Sequence, residues 1–116
     1  MTAEADTNVS IKRITIIVPA DCLEPMERCL CAAGVPEMTI DNVRVFGEHA
    51  NYFSGDFLLR NVRIEVHIGA KRCDEVCAEI RRFAADLHPS AGILAAERVD
   101  RLVDLNSGQN VLAGCL

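Results

Sequence analysis

The sequence predicts an α+β fold of βαββαβ order, with two helices on one face of a four-stranded antiparallel sheet. Three observations carry this expectation. Val62, Ile64, Val66 and Ile68 alternate cleanly with Arg63, Glu65 and His67, the signature of a half-buried strand. Two other segments repeat apolar residues at the three- and four-residue spacing of a helix face. Strand-like and helix-like segments then succeed one another twice in the same order, with no short internal repeat.

The elements follow in turn. Ile14, Ile16 and Val18 alternate with Arg13, Thr15 and Ile17 up to Pro19, a strand closed by a residue without an amide hydrogen. Leu23, Met26, Leu30 and Ala33 recur at 3, 4, 3 spacing and predict the first helix. Either Asp21 caps it with Glu24 three residues on, or Glu24 caps it with Pro25 at the first helical position. Gly34 ends it. In MTIDNVRVFG, Met38 and Ile40 share one parity and Val43 and Val45 the other, so the second strand is expected to bulge or twist near Asp41 and Asn42. A loop over 47–60 leads to the alternating third strand. The second helix, over 71–87, presents Cys73, Val76, Cys77, Ile80, Phe83, Ala84 and Leu87 on one stripe, and His88-Pro89-Ser90-Ala91-Gly92 closes it. A last extended segment is expected over 93–105. Residues 1–10 and 109–116 read as flexible tails around a domain of 11–108.

Because each helix is apolar on one stripe only, both cover the same sheet face, the ferredoxin-like or split βαβ arrangement. Right-handed crossovers put the first and third strands in the middle. The other face then carries Arg13, Thr15, Ile17, Arg63, Glu65 and His67. Two readings of that face stand: solvated cross-strand pairs, or a surface covered by another subunit.

A chain of 116 residues suffices for one domain that buries roughly two-thirds of its unfolded surface. Half of the residues are apolar but only 4% are aromatic, so Ile, Val, Leu, Ala and Cys must build the core. A formal charge of -5 and scarce aromatics exclude a nucleic-acid binder that neutralises phosphates and stacks bases. The opening MTAEADTNVS carries acids and no apolar run, unlike a signal or transit peptide. No segment approaches the roughly 18 apolar residues of a membrane span, so a cytoplasmic protein not integral to a membrane is expected.

The six cysteines read as reduced thiols rather than a disulfide framework or zinc site. Cys73 and Cys77 lie on the apolar stripe of the second helix, where free Cys packs as a small hydrophobe. Cys29 and Cys31 are one residue apart on the first helix and point about 200° away from each other, so they do not chelate one ion. Cys115, in the tail, reads as a plain thiol or a redox-sensitive one. No nucleophile–base pair is apparent: His49, His67 and His88 fall on a loop, a strand and a turn, and no enzyme is expected.

The combination MTIDNVRVFG, a loop, VRIEVHI and a downstream NSG resembles the PII and PII-like signalling proteins. Their second strand reads close to GMTVTEVKGFG and their third close to VKIEVVV. The resemblance covers most of the chain, from about Ile11 to Gly108. It implies a homotrimer whose intersubunit clefts hold an adenine nucleotide, and whose loop after Phe46 and Gly47 reports on that ligand to a partner protein. It also explains why a half-buried strand runs into a charged loop. Thr39 matches the adenine-contacting threonine, Gly47 the glycine at the loop base, Glu65 and His67 the third-strand positions whose backbone reads the adenine edge, and Ile16 an apolar position beside the base. Gly92, Ser107 and Gly108 fall on the family's turn and downstream motif. Arg60, Arg63 and Arg101 are the phosphate contacts that remain, Arg60 foremost because a guanidinium at the loop's end suits phosphate geometry.

The departures are equally specific. Where the family carries a GDGKI-like turn with a phosphate-binding lysine, Ser90-Ala91-Gly92-Ile93 keeps the glycine and places isoleucine at the lysine. Two C-terminal arginines of the family align with Asp104 and Asn106. A triphosphate carries about four negative charges, so ADP or AMP is expected over ATP. Tyr52 is kept, but Phe53-Ser54-Gly55 follow it in place of Arg-Gly-Ala, which argues against nucleotidylation. The short loop, the altered turn and the tail cysteine look like the PII-like branch found with carboxysomes and bicarbonate transporters, which implies bicarbonate as a second ligand, near His49 or Arg60, and a partner in inorganic-carbon metabolism. No tightly bound cofactor is expected. Two other classes share the element order: a trimeric metal-binding or metal-tolerance protein using the cysteines with His67, and a dimeric α+β barrel enzyme.

Overall fold

The computed structural model of the chain describes residues 10–44, 60–87, 92–111 and 116. β1 (Ile11–Pro19) passes through a 3-10 turn (Ala20–Cys22) into α1 (Leu23–Ala32), followed by β2 (Thr39–Val43), β3 (Asn61–Gly69), α2 (Ala70–Leu87) and β4 (Ile93–Val99). The sheet is antiparallel throughout, in the order β2-β3-β1-β4, so β1 and β3 occupy the centre as right-handed crossovers require.

Strand alternation decides which side chains meet the helices. Ile14 opposes Val66, Ile16 opposes Ile64 and Val18 opposes Val62, and with Ile68 all lie in the core. Met26 and Leu30 of α1 and Cys73, Val76 and Ile80 of α2 close over them. These are the stripes that the three- and four-residue spacing predicts. On the opposite face Arg13 stands beside His67, Thr15 beside Glu65 and Ile17 beside Arg63, the mixed surface that the sequence implies. Among the described residues no helix is long and apolar enough to cross a membrane.

α1 ends as its sequence requires. Gly34 adopts φ +81°, its amide donates to the Cys31 carbonyl, and the Val35 amide donates to the Leu30 carbonyl, each at 3.0 Å. These are the paired bonds of a Schellman motif, and buried Val35 supplies the apolar contact that accompanies it.

Three local expectations are corrected. Neither Asp21 nor Glu24 caps α1: the helix grows out of the 3-10 turn, with Cys22 at the N-cap position and no side-chain cap bond. Pro25 sits in the first turn, where a missing amide costs nothing. β2 has no bulge, since Thr39 to Val43 pair in unbroken register with Glu65 to Asn61. Ile40, opposite Ile64, and Val43, opposite Asn61, simply project to opposite faces of one regular strand. The extended segment expected over 93–105 stops at Val99, and residues 102–111 fold back in a tight antiparallel turn with a bridge between Val103 and Asn110. The helix-closing segment at 88–91 lies outside the described residues.

Gly92 lies closer to its neighbours than Gly34 or Gly108 does. It leads into β4 at φ +136°, and a Cβ there would lie 1.9 Å from the Ile17 carbonyl oxygen. A Cβ on Gly34 would meet only the end of the Arg72 side chain, at 3.1 Å.

The thiols divide by face. Cys73 is buried, Cys77 half-buried, and their sulfurs are 4.0 Å apart. Cys29 packs toward the Glu79 carbonyl while Cys31 is exposed, so the two point different ways, as their spacing implies. Burial and then the adjacent Cys73 sulfur push the Cys77 thiol up to about 11. Burial likewise raises Cys22, helped by Asp21, and Cys29, helped by Glu79.

Two outcomes are expected from this architecture. Gly92→Ala destabilises the fold by about 3 kcal/mol or more, because backbone must move, whereas Gly34→Ala costs about 1 kcal/mol; urea denaturation gives the ranking. Stability also falls on the alkaline side. An unfolded thiol ionises near 9.0 while folded Cys77 holds its proton to about 11, so the unfolded chain releases the proton first and folding weakens as pH rises through that window. Cys77→Ala flattens the decline in a series of melts between those pH values.

Candidate functional site

β2 and β3 place Thr39 opposite Glu65, and His67 follows two residues along β3, on the same helix-free face. These three residues form the floor of a groove of about 490 Å3. One wall is the approach to β2, Pro36, Glu37 and Met38; the other is Leu102, Val111 and Leu116. Three residues singled out in the sequence are thus brought together across two strands.

The second wall is held by its own turn. The Val111 amide donates to the Leu102 carbonyl at 2.8 Å and the Asp104 amide to the Gln109 carbonyl at 2.9 Å, which sets Leu102 opposite Val111. The Asp104 carboxylate caps the bend, accepting from the Asn106 amide at 2.8 Å and the Ser107 amide at 3.2 Å. Ser107 Oγ accepts from the Gln109 amide at 3.2 Å, and the Gly108 amide donates to the Asp104 carbonyl at 2.7 Å. Leu116 is tied in from the helix layer: Arg72 Nη1 of α2 donates to its carbonyl oxygen at 3.1 Å, and Arg72 Nη2 donates to the Ala33 carbonyl at the end of α1.

Charge in the groove is predominantly acidic. Glu37 and Glu65 line it, together with His67, and no described Lys or Arg does. The arginines on the same face are engaged beside it. Arg63 forms a fork with Asp41, Nε to Oδ1 at 3.1 Å and Nη2 to Oδ2 at 2.8 Å. Arg13 donates to Glu97 at 2.9 Å, and that hydrogen bond and charge raise the guanidinium above its ordinary value. Exposed and screened, such pairs add little stability, but they hold each cation in place.

The remaining predicted residues are scattered. Ile16 is corrected: at 2% exposure it is a core residue under the helices, on the face opposite Thr39, Glu65 and His67, and it does not reach the groove. Gly92 serves the close approach to Ile17, and Ser107 and Gly108 build the Asp104 turn. Arg60 is exposed where β3 begins, its carbonyl accepting from the Ala20 amide at 2.8 Å. Arg101 is exposed just past β4. Phe46, Gly47, His49, Tyr52 and Cys115 lie outside the described residues. Among the described residues a ligand set uniting the cysteines with His67 is not formed, because Cys22, Cys29, Cys73 and Cys77 belong to the helix layer and His67 to the other face. Among the described residues no three His, Cys, Asp or Glu converge on one point.

Sequence reasoning missed the groove's walls. The signal was present: Asp104, Asn106, Ser107 and Gly108, four turn formers within five residues, lie between apolar Leu102-Val103 and Val111, the pattern of a chain folding back on itself.

Comparison with known proteins agrees with this architecture. No curated protein sequence matches the chain. The family model described as "Nitrogen regulatory protein P-II" matches residues 11–103, from the first residue of β1 to the groove-side turn, and with that span matched the chain belongs to the P-II family of regulatory signal-transduction proteins.

Proposed function

We propose that this protein is a PII-like sensor that binds an adenine nucleotide in the Thr39, Glu65 and His67 groove and signals through the 47–60 loop to a partner protein. The observation that carries the reading is the meeting of those three residues in one groove on the strand pair that borders the loop. Exposed strand edges supply amides and carbonyls for a purine edge, and Thr39 adds a hydroxyl. A ligand with different affinity for two loop states shifts their balance, and no bond needs to be made or broken.

The order of preference follows from charge. With Glu37 and Glu65 lining the groove and Arg63 engaged by Asp41, each added phosphate meets more repulsion and little compensation. Asp104, at the place of a family arginine, caps its own turn. AMP and ADP therefore precede ATP, with exposed Arg60 and Arg101 as the phosphate partners. Bicarbonate near Arg60 is the second ligand in this reading, and the regulated protein belongs to inorganic-carbon metabolism.

The assembly in this reading is a homotrimer with the nucleotide in its intersubunit clefts. Ile17, half-buried, and Ile93, at 41% exposure, lie on the sheet face without helices, and burial between subunits removes that apolar surface from water. Light scattering is expected to give three chains per particle.

Calorimetric titration with AMP, ADP, ATP and cyclic AMP, each with and without bicarbonate, tests the reading. AMP or ADP is expected to bind at about one site per chain and more tightly than ATP, and Thr39→Ala to weaken binding about tenfold, or ~1.4 kcal/mol. Silence from all four nucleotides would overturn it. Asn106→Arg, which restores a cation at an exposed position whose side chain the turn does not use, is expected to narrow the gap between ATP and AMP severalfold in competition titrations.

A further inference from the structure

The helix layer contains a pair of nucleophiles that the groove does not use. Cys73 and Cys77 are four residues apart on α2, on one helix face, with Sγ atoms 4.0 Å apart. Cys73 is 2% exposed and Cys77 half-buried, so the pair is reached from the Cys77 side. The other three described thiols have no such neighbour: Cys22 meets the Asp21 carboxylate, Cys29 meets the Glu79 carbonyl, and Cys31 is exposed.

We infer that Cys73 and Cys77 form a dithiol site for a monosubstituted trivalent arsenical, R–As(OH)2, with both sulfurs bonded to one arsenic atom. Three chemistries compete for a pair of this geometry, and two of them fit poorly. A disulfide needs its Cβ atoms about 3.5–4.5 Å apart, against roughly 5–6 Å for such helix neighbours; it also needs an oxidant. A tetrahedral thiophilic cation would seat two sulfurs about 3.8 Å apart at a metal–sulfur distance of about 2.3 Å, close to the observed separation. It requires further ligands, however, and among the described residues no third His, Cys, Asp or Glu converges there. It also requires both thiols to lose their protons, while the Cys77 thiol is held up to about 11.

An arsenical of this class needs two sulfurs and no more, since its third bond goes to carbon. Its reaction consumes neutral thiols. Two S–H and two As–O bonds break, two As–S bonds form, and each thiol proton leaves with an arsenic hydroxyl as water. Arsenic stays trivalent and sulfur stays at the thiol level, so no oxidant or reductant enters. Burial that keeps Cys77 protonated works against cation capture and leaves this condensation balanced. The dithiol site is independent of the nucleotide reading.

The test is incubation of the reduced full chain with phenylarsine oxide under native conditions, read by intact mass and by mapping which of the six cysteines resist iodoacetamide. The expected result is one phenylarsenic group per chain, with Cys73 and Cys77 protected and released again by an excess of a small dithiol. Losing one of two linked sulfurs removes the chelate advantage, so Cys77→Ala is expected to weaken retention roughly 100-fold, and Cys31→Ala to leave it unchanged. Cys77 is half-buried, so its variant remains informative even if Cys73→Ala does not fold. Protection of any other pair, uptake only in denaturant, or undiminished retention by folded Cys77→Ala would overturn the inference.

Discussion

The register between β1 and β3 is the constraint on which everything else depends. Nine residue pairs, from Ile11 with Gly69 to Pro19 with Asn61, run without a break. Because strand side chains alternate with a period of two, a slip of one residue would turn Ile14, Ile16 and Val18 outward and bring Arg13 and Thr15 beneath the helices. The apolar stripes of α1 and α2 accept only one of these registers. That choice also presents Glu65 and His67 on the open face and delivers Thr39 beside them through the β2 pairing. Core and groove are therefore two sides of a single decision.

The acidic groove reflects a local conflict between two jobs. Asp104 occupies a position where a cation would favour phosphate, yet its carboxylate satisfies two amides at the bend that raises the groove's wall. One side chain cannot do both. The carboxylate serves the turn, and Arg63 is tied across to Asp41. Each feature leaves the groove with less free positive charge.

Much of this was legible in the sequence where one period governed a whole segment. The alternation over 62–68 and the helical spacing of Met26, Leu30, Cys73, Val76 and Ile80 report burial directly, and these side chains are buried. Reading failed where competing local signals were each chemically sound. Asp21 is a good cap with Glu24 three residues on, but a 3-10 turn had already begun at Ala20. The switch from Ile40 to Val43 implies a bulge only if both must face the core, and in β2 they project to opposite faces. Ile16 matched a ligand-side position by motif, while its parity with Ile14 and Val18 placed it inside. The groove's far wall depends on a fold-back between residues 102 and 111, and a pattern of apolar positions does not say across what surface such a turn will lie.

Arg72 gives the molecule a further property. One guanidinium binds the terminal carbonyl region of α1 and the Leu116 oxygen on the groove's wall, so a layer built for stability and a surface open to ligands share a donor. A molecule that displaces Leu116 takes an acceptor from Arg72, and a change at the end of α1 alters how firmly Leu116 is held. Such sharing is reciprocal by thermodynamic necessity. One side chain thus ties the helix layer behind the sheet to the wall of the groove in front of it.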